Sequence, residues 1–449
     1  MPDRPDYSAT ANSPIWHIAI PAPLHRGFDY RAPLNTLSPP VPGMRVRVPF
    51  GTRKTIGVLL ETRAESAVSW NKLKPILQVI DTAPVLTSDL LALGRWASDY
   101  YHHPIGEVLH HMLPTLLRQG QEAALQTESI WRVSTMGANL DSAKLVRAPK
   151  QQALLKLLQQ NREGLTADAL NAHLSQWRAP LQLLLKKALV ECETVDCAPP
   201  AAVLSPPPTP QRPPELNADQ QQAVAAISAT LGSFHRWLLE GVTGSGKTEV
   251  YLQIITQVLA RGDQALVLVP EIGLTPQLLQ RFAERLSTPV GVIHSNLSER
   301  QRLNTWVAAK NNETRVIIGT RSGIFTPLAR PGVIIVDEEH DQSFKQQDGF
   351  RYHARDLAIV RAQQLNIPII LGSATPSLES FYNLQQSRYR RLHLPTRTGQ
   401  AQLPHISVVD ARQTPAGQAV SPVMRQRVEQ HLNAGNQVLI FLNRRGYAP

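Results

Sequence analysis

Eight consecutive residues, Gly241-Val242-Thr243-Gly244-Ser245-Gly246-Lys247-Thr248, have the types and spacing of a phosphate cradle: glycine, four residues, then Gly-Lys-Thr. Glycines let successive backbone N–H groups curl around an anion, and a helix starting there turns its positive end toward the charge. In such a loop Gly241, Thr243, Gly244, Ser245 and Gly246 line the phosphates, Lys247 reaches the β- and γ-phosphates, and the Thr248 hydroxyl binds Mg²⁺. Further along stands Asp337-Glu338-Glu339-His340. An acid at the end of an apolar strand can hold Mg²⁺ opposite Thr248, and the next acid can orient and deprotonate a water. Lys247, Asp337 and Glu338 are therefore the expected catalytic residues of a nucleoside triphosphate hydrolase.

This chemistry needs strands to deliver it. Trp237-Leu238-Leu239 reads as a short buried strand entering the cradle, and Val250, Ile254, Ile255 and Val258 give the following segment helical spacing up to Gly262. The apolar runs 265–269, 316–318, 333–336 and 367–371 each end in polar residues: Pro270-Glu271, Gly319-Thr320-Arg321-Ser322, Asp337-Glu338 and Gly372-Ser373-Ala374-Thr375. Continuous apolar strands alternating with helices predict a parallel sheet covered on both faces, with ligands at the carboxyl ends of its strands.

At 449 residues the chain has room for about three domains. A formal net charge of +11 favours a polyanionic partner, nucleic acid or an anionic surface. No apolar run reaches the ~20 residues of a membrane span, no apolar signal core opens the chain, and two cysteines, Cys192 and Cys197, build no disulfide framework. The expectation is a soluble cytoplasmic protein without a membrane partner.

Residues 1–113 read as a β-rich domain, a small barrel or sandwich. Ile15 to Ile20, Arg45 to Phe50 and Ile56 to Leu60 form its strands, with Arg45 and Arg47 on one solvated face. Phe28-Asp29-Tyr30 reads either as core packing or as aromatics stacking on a base beside an acceptor carboxylate. A helical segment runs from Leu86 through His103. His102, His103, His110 and His111 lack companions for a metal set and read as packing or solvent-facing. Residues 114–197 resemble a winged helix, with DNA contact or a spacer role both open because its second and third helices carry few basic residues beyond Arg178, Lys186 and Lys187. The proline-rich stretch 198–214 is an extended linker. Residues 215–400 are the nucleotide-binding lobe, and 401–449 begin a second lobe with a strand at Val438–Leu442.

The Asp-Glu-Glu-His and Ser-Ala-Thr clusters resemble motifs II and III of superfamily 2 helicases, and Gly241 to Thr248 resembles motif I. Pro270 to Gln277, Gly319 to Phe325 and Phe441 to Tyr447 resemble motifs Ia, Ib and IV. The combination is similar to the PriA family of bacterial replication-restart DNA helicases across essentially the whole chain from Ile15. That resemblance implies an ATP-dependent 3′-to-5′ DNA helicase that recognises stalled or abandoned forks and initiates primosome assembly. It implies ATP and Mg²⁺ as cofactors, with Gln220 reading adenine by its edge and His340, Ser373 and Thr375 coupling the motifs. Phe28, Asp29 and Tyr30, with Gly51 and Lys74, would line a pocket for a nascent 3′ end. Arg321 and the aromatic-rich loop containing Phe344, Lys345, Phe350, Arg351 and Tyr352 would contact DNA, with Arg355 as a further phosphate contact; the loop also reads as a mobile surface segment. Implied partners are forked and single-stranded DNA, primosome proteins and single-strand-binding proteins.

The family continues past motif IV with a zinc module, motifs V and VI and a C-terminal domain. None of the zinc ligands occurs in this chain, so Zn²⁺ is expected only in that further part. The sequence thus reads as a fragment, a truncated product or an incomplete gene model. ATP hydrolysis is then expected to need residues beyond Pro449, and two rivals follow: an inert fork-binding module that binds ATP, or a double-stranded DNA translocase.

Overall fold

The computed structural model describes residues 14–33, 39–125, 127–140, 145, 148–196, 214–286, 288–398, 405–410, 412 and 420–441. The expected linker lies outside them except for Pro214, as does Cys197. Residues 1–397 form one compact unit and 398–449 a second.

The N-terminal strands β1 (Ile15–Ala19), β2 (Phe28–Arg31), β3 (Arg45–Phe50), β4 (Arg53–Arg63) and β5 (Gln78–Val79) pair antiparallel in the order β2-β1-β4-β3-β5. Alternate residues Trp16, Ile18, Val46, Val48 and Leu59 close one core. Arg45 does not lie on a solvated face. It is fully buried, its backbone N–H and both ends of its guanidinium bonded to Asp81, with Nη1 donating 2.6 Å to the Leu117 carbonyl. Period two assigns a residue to a face, and here helices cover that face. These helices are α1 (Ser88–Tyr100), α2 (Ile105–Met112) and α3 (Thr115–Arg118), with Pro104 separating the first two.

Next come β6 (Thr127–Val133), α4 (Thr135–Ala138), α5 (Pro149–Gln160), β7 (Leu165–Thr166), α6 (Ala167–His173), α7 (Arg178–Lys186) and β8 (Val190–Asp196). The antiparallel order β7-β6-β8 backs the three longer helices, as in a winged helix. Thr166 caps α6 by accepting the Ala169 N–H, and Leu154, Leu158, Leu170, Leu181 and Leu184 gather around Trp177.

The lobe runs α8 (Ala218–Ser228), β9 (Arg236–Gly241), α9 (Lys247–Ala260), β10 (Gln264–Leu268), α10 (Pro276–Leu286), β11 (Val290–Ile293), α11 (Glu299–Lys310), β12 (Val316–Gly319), β13 (Pro331–Val336), α12 (Ala354–Gln364), β14 (Ile369–Ser373), α13 (Leu378–Gln385) and β15 (Arg390–Leu394). Its seven strands are all parallel, in the order β11-β12-β10-β13-β14-β9-β15. Leu238, Leu266, Ile334 and Leu371 face one apolar layer, while Trp237, Leu239, Val267, Ile335 and Ile370 face the other. That double burial is why these strands read as unbroken apolar runs.

The first of those layers does not stop at the lobe. It continues into Leu86, Leu90, Leu93, Val108, Leu109 and Met112 of the N-terminal module. Across it, Arg361 of α12 is fully buried, donating Nε to Asp89 of α1 at 3.1 Å and Nη1 to the Ile324 carbonyl at 2.6 Å. Lys310 Nζ donates to the Pro84 carbonyl at 2.7 Å.

In the second unit, α14 (Pro422–Asn433) is capped by Ser421, which accepts the Met424 N–H. The expected strand at Val438–Leu442 is not formed over 438–441, where Leu439 and Phe441 are 94% and 84% exposed. An apolar run becomes a strand only where neighbours take its hydrogen bonds.

Asp89→Ala leaves Arg361 charged and unpaired in an apolar interior. It should lower the unfolding free energy by about 3–5 kcal/mol in a denaturant titration; a loss under about 1 kcal/mol, the size of an exposed pair, would refute the pairing. Burial also pushes His110 and His111 down to about 4. The unfolded chain then binds more protons below its ordinary histidine pKa of about 6.5. Stability contributed by the neutral rings is complete above that pH and lost as pH falls through about 4. His111→Phe should flatten the fall; an unchanged slope would contradict the burial argument.

Candidate functional site

The lobe brings the polar clusters together because β14 lies between β13 and β9. The phosphate-cradle loop leaves β9, Asp337 to His340 leave β13, and Ser373 ends β14. Gly244 and Gly246 adopt φ of +80° and +83°, which only glycine holds without strain, and Lys247 begins α9. Lys247 Nζ donates to the Gly241 carbonyl at 2.9 Å and lies 3.9 Å from Glu338 Oε1. Ser245 Oγ is buried with no hydrogen-bond partner among the described residues, and Thr243 and Gly244 are exposed at the loop tip.

Asp337 accepts a 2.9 Å hydrogen bond from Tyr251, one helical turn beyond Lys247. Burial, then the Glu338 charge, holds its carboxyl above the usual range, with the Tyr251 bond and Lys247 pulling the other way. Gly372 makes the approach of Tyr251 and Asp337 possible, since a Cβ there would overlap Tyr251 Oη. Glu338 sits at φ +47°, a left-handed conformation that a non-glycine residue occupies at a cost of order 1–3 kcal/mol. Glu339 turns inward to Arg355 at 3.0 Å and to Ser377. His340 Nδ1 pairs with Ser373 Oγ at 2.7 Å, and Thr375 Oγ1 lies 3.4 Å from His340 Nε2.

This set fits a Mg²⁺-nucleotide. An orphaned hydroxyl, a left-handed glycine loop at a helix start and a lysine beside two carboxylates supply complementary charge and donors. Gln220 does not present its amide edge to a base here. It is buried, donating Nε2 to the Ser245 carbonyl at 2.8 Å and accepting the Asn217 N–H through Oε1 in a capping box.

The aromatic loop differs from expectation. Phe344, Phe350 and Tyr352 are buried and offer no stacking face. Phe350 and Tyr352 pack against His111, and Phe350 also meets Tyr101 at 5.9 Å and His103 at 5.4 Å. Spacing of aromatics does not tell solvent from a neighbouring module. Tyr101 Oη accepts the His353 N–H at 3.1 Å, and Lys345 Nζ stands 5.3 Å over the Tyr101 ring. Arg321 Nη1 donates to the Ser343 and Lys345 carbonyls. Arg355 is buried between Glu339 and Asp356 and is no phosphate contact; Arg351 is exposed.

A cavity of about 850 Å³ opens on the N-terminal sheet, and Phe28, Asp29, Tyr30, Gly51 and Lys74 all line it. Residues not foreseen hold Asp29 in place. His17 and Ser66 each lie 2.6 Å from an Asp29 oxygen, and Arg63 lies 3.6 Å away. Burial opposes the Asp29 charge, but bonds from Ser66 and His17 and the charges of His17 and Arg63 outweigh it and hold the carboxyl below its usual range. Phe28 is half-buried, edge-on to Phe50 at 5.3 Å, with Arg26 5.5 Å over its ring. Tyr30 is buried, donating to the Pro49 carbonyl at 3.2 Å, so it is a wall and not a free stacking face. Gly51 turns β3 into β4 at φ +58°, and Lys74 is exposed. Arg95, Ser98 and Asp99 of α1 reach the same cavity.

Gly372→Ala should destabilise the lobe by about 1–3 kcal/mol through overpacking. Adding Tyr251→Phe should restore part of that loss in a double-mutant cycle; strictly additive losses would contradict the close approach.

Comparison with known proteins agrees with this layout. Residues 17–114 match the family described as the PriA 3′DNA-binding domain (3′BD), and residues 217–384 match the DEAD/DEAH box helicase family. The replication restart protein PriA of Haemophilus influenzae is 43% identical over 440 residues, covering 97% of this chain and 59% of that protein. The PriA proteins of Bacillus subtilis and Chlamydia pneumoniae are 33% and 34% identical, covering 95% and 96% of this chain and 61% and 58% of theirs. The chain thus spans about three fifths of the length of these curated relatives. Along nearly its whole length the chain is thus similar to replication restart proteins PriA, with a match to the PriA 3′DNA-binding domain at residues 17–114 and to the DEAD/DEAH box helicase family at residues 217–384.

Proposed function

We propose that this chain forms the DNA-end-binding and ATP-binding part of an ATP-dependent 3′-to-5′ DNA helicase. It recognises stalled or abandoned replication forks and starts primosome assembly. The observation that carries the reading is that one compact unit holds both the Asp29 cavity and the Lys247–Asp337–Glu338 cluster. Primosome and single-strand-binding proteins are the protein partners, and the cytoplasm is the compartment. Among the described residues no helix is long and apolar enough to cross a membrane.

In the lobe, the cradle N–H groups and Lys247 bind the ATP phosphates, while Thr248 and Asp337 hold Mg²⁺, which neutralises phosphate charge when bound. Glu338, 3.9 Å from Lys247, orients the water and takes its proton. His340, bonded to Ser373, ties that acid's segment to the end of β14. In the cavity, the Asp29 carboxylate is an acceptor for a terminal 3′-hydroxyl. Its fit rests on an ionised group already fixed by His17 and Ser66. Phe28 stacks on the terminal base, and Lys74 and Arg26 meet its phosphates. Arg321, Lys345 and Arg351 lie along the strand beyond.

Asp29→Ala should weaken binding to forks with a free 3′ end roughly tenfold, the scale of one charged hydrogen bond, and spare forks whose 3′ end is blocked. Equal loss on both would make Asp29 structural. ATP-driven displacement of the parental strand, absent in Lys247→Ala, is expected of the helicase; ATP turnover without displacement would favour a double-stranded DNA translocase.

A further inference from the structure

Between the N-terminal module and the lobe lies a half-open cavity of about 80 Å³ that takes no part in the chemistry above. His111 and Arg118 wall it from one side, and Arg302, Trp306, Ser322 and Thr326 from the other. Three of these side chains carry buried polar atoms with no hydrogen-bond partner among the described residues: Trp306 Nε1, Arg302 Nε and Thr326 Oγ1. The first two can only donate. A buried donor left unmade costs about 1–3 kcal/mol, so several around one cavity call for an acceptor inside it.

Charge points the same way. Arg118 is fixed by donating Nε to the Leu113 carbonyl and Nη2 to the His111 carbonyl, each at 2.7 Å. Burial and then the nearby Arg302 charge work against its own charge, with the Glu299 carboxylate and Tyr352 as the groups acting in its favour. The Arg118 and Arg302 guanidinium groups line one cavity, Arg302 with an unmet Nε–H, and they repel each other unless an anion lies between them. The volume is that of two to three waters, at about 30 Å³ each, which a tetrahedral oxyanion fills.

We infer that this cavity is an oxyanion site that takes a phosphate group, held by Arg118, Arg302 and the Trp306 indole N–H, with the ligand bridging the N-terminal module and the lobe. Two sources supply that chemistry, free inorganic phosphate and a phosphodiester of a bound DNA strand. The first stands whether or not the chain is a helicase; the second rests on the DNA-binding reading.

The test uses the whole chain with Lys247→Ala, so that the phosphate cradle is disabled, alone and combined with Arg302→Gln or Trp306→Phe. The phenylalanine keeps the apolar packing and removes one N–H, which guards against a variant that simply fails to fold. Inorganic phosphate is titrated by calorimetry at constant ionic strength. Binding to the parent that weakens about fivefold or more in each variant supports the site. In parallel, a single-stranded oligonucleotide is titrated across salt concentrations. A salt slope reduced by about one in Arg302→Gln identifies a DNA phosphate as occupant, and an unchanged slope with phosphate binding lost identifies the free ion. No phosphate binding by the parent, with oligonucleotide affinity and slope unchanged in both variants, would overturn the inference and leave a water-filled cavity.

Discussion

Arg361 meets Asp89 where the buried guanidinium charge could not stand alone, and much else in the unit depends on that meeting. Arg361 is fully buried, and its pair with Asp89 fixes α1 of the N-terminal module against α12 of the lobe. The apolar layer around it is continuous from one module into the other. On its far side α1 carries Arg95, Ser98 and Asp99 to the Asp29 cavity. Through Tyr101 it holds the loop that joins Asp337–His340 to α12. The Asp29 cavity and the phosphate-cradle loop therefore belong to one packed body.

The nucleotide cluster shows the same dependence at shorter range. Strand order places β14 between the cradle strand and the acid strand, so Gly372 must have no side chain and Ser373 must face His340. Glu338 holds a left-handed backbone at the point where the chain leaves β13, with Glu339 anchored inward on Arg355 and Ser377. The inward acid fixes the turn and leaves the strained acid facing Lys247. Neighbouring carboxylates thus divide, one anchored inward and the other turned toward the phosphate-cradle lysine.

Much of the lobe was legible because its physics is local. Strands buried on both faces leave unbroken apolar runs, and a phosphate loop requires glycines at fixed offsets. What was not legible depends on partners distant in sequence. Arg45 alternates like a surface residue, yet Asp81 and the Leu117 carbonyl enclose it. Phe344, Phe350 and Tyr352 look like stacking faces but are buried, the last two against His111 of α2 and Phe350 also against Tyr101. His17 and Ser66 show no local pattern tying them to Asp29. Strands β11 and β15 were missed because both lie at the sheet edges, one a short run broken by Gly291 and the other arginine-rich. Tyr251 could have been found. It sits one turn after Lys247, its hydroxyl the polar tip in an otherwise apolar helix face.

The cavity-bearing module and the lobe share one core and therefore open together. Native-state hydrogen exchange across a denaturant series tests it most directly, by comparing the slowest amides of α1 and β4 with those of α12 and β13. All four should merge into one opening of the same free energy, equal to that of global unfolding. An N-terminal module that opens separately at lower free energy, while α12 and β13 stay protected, would contradict it.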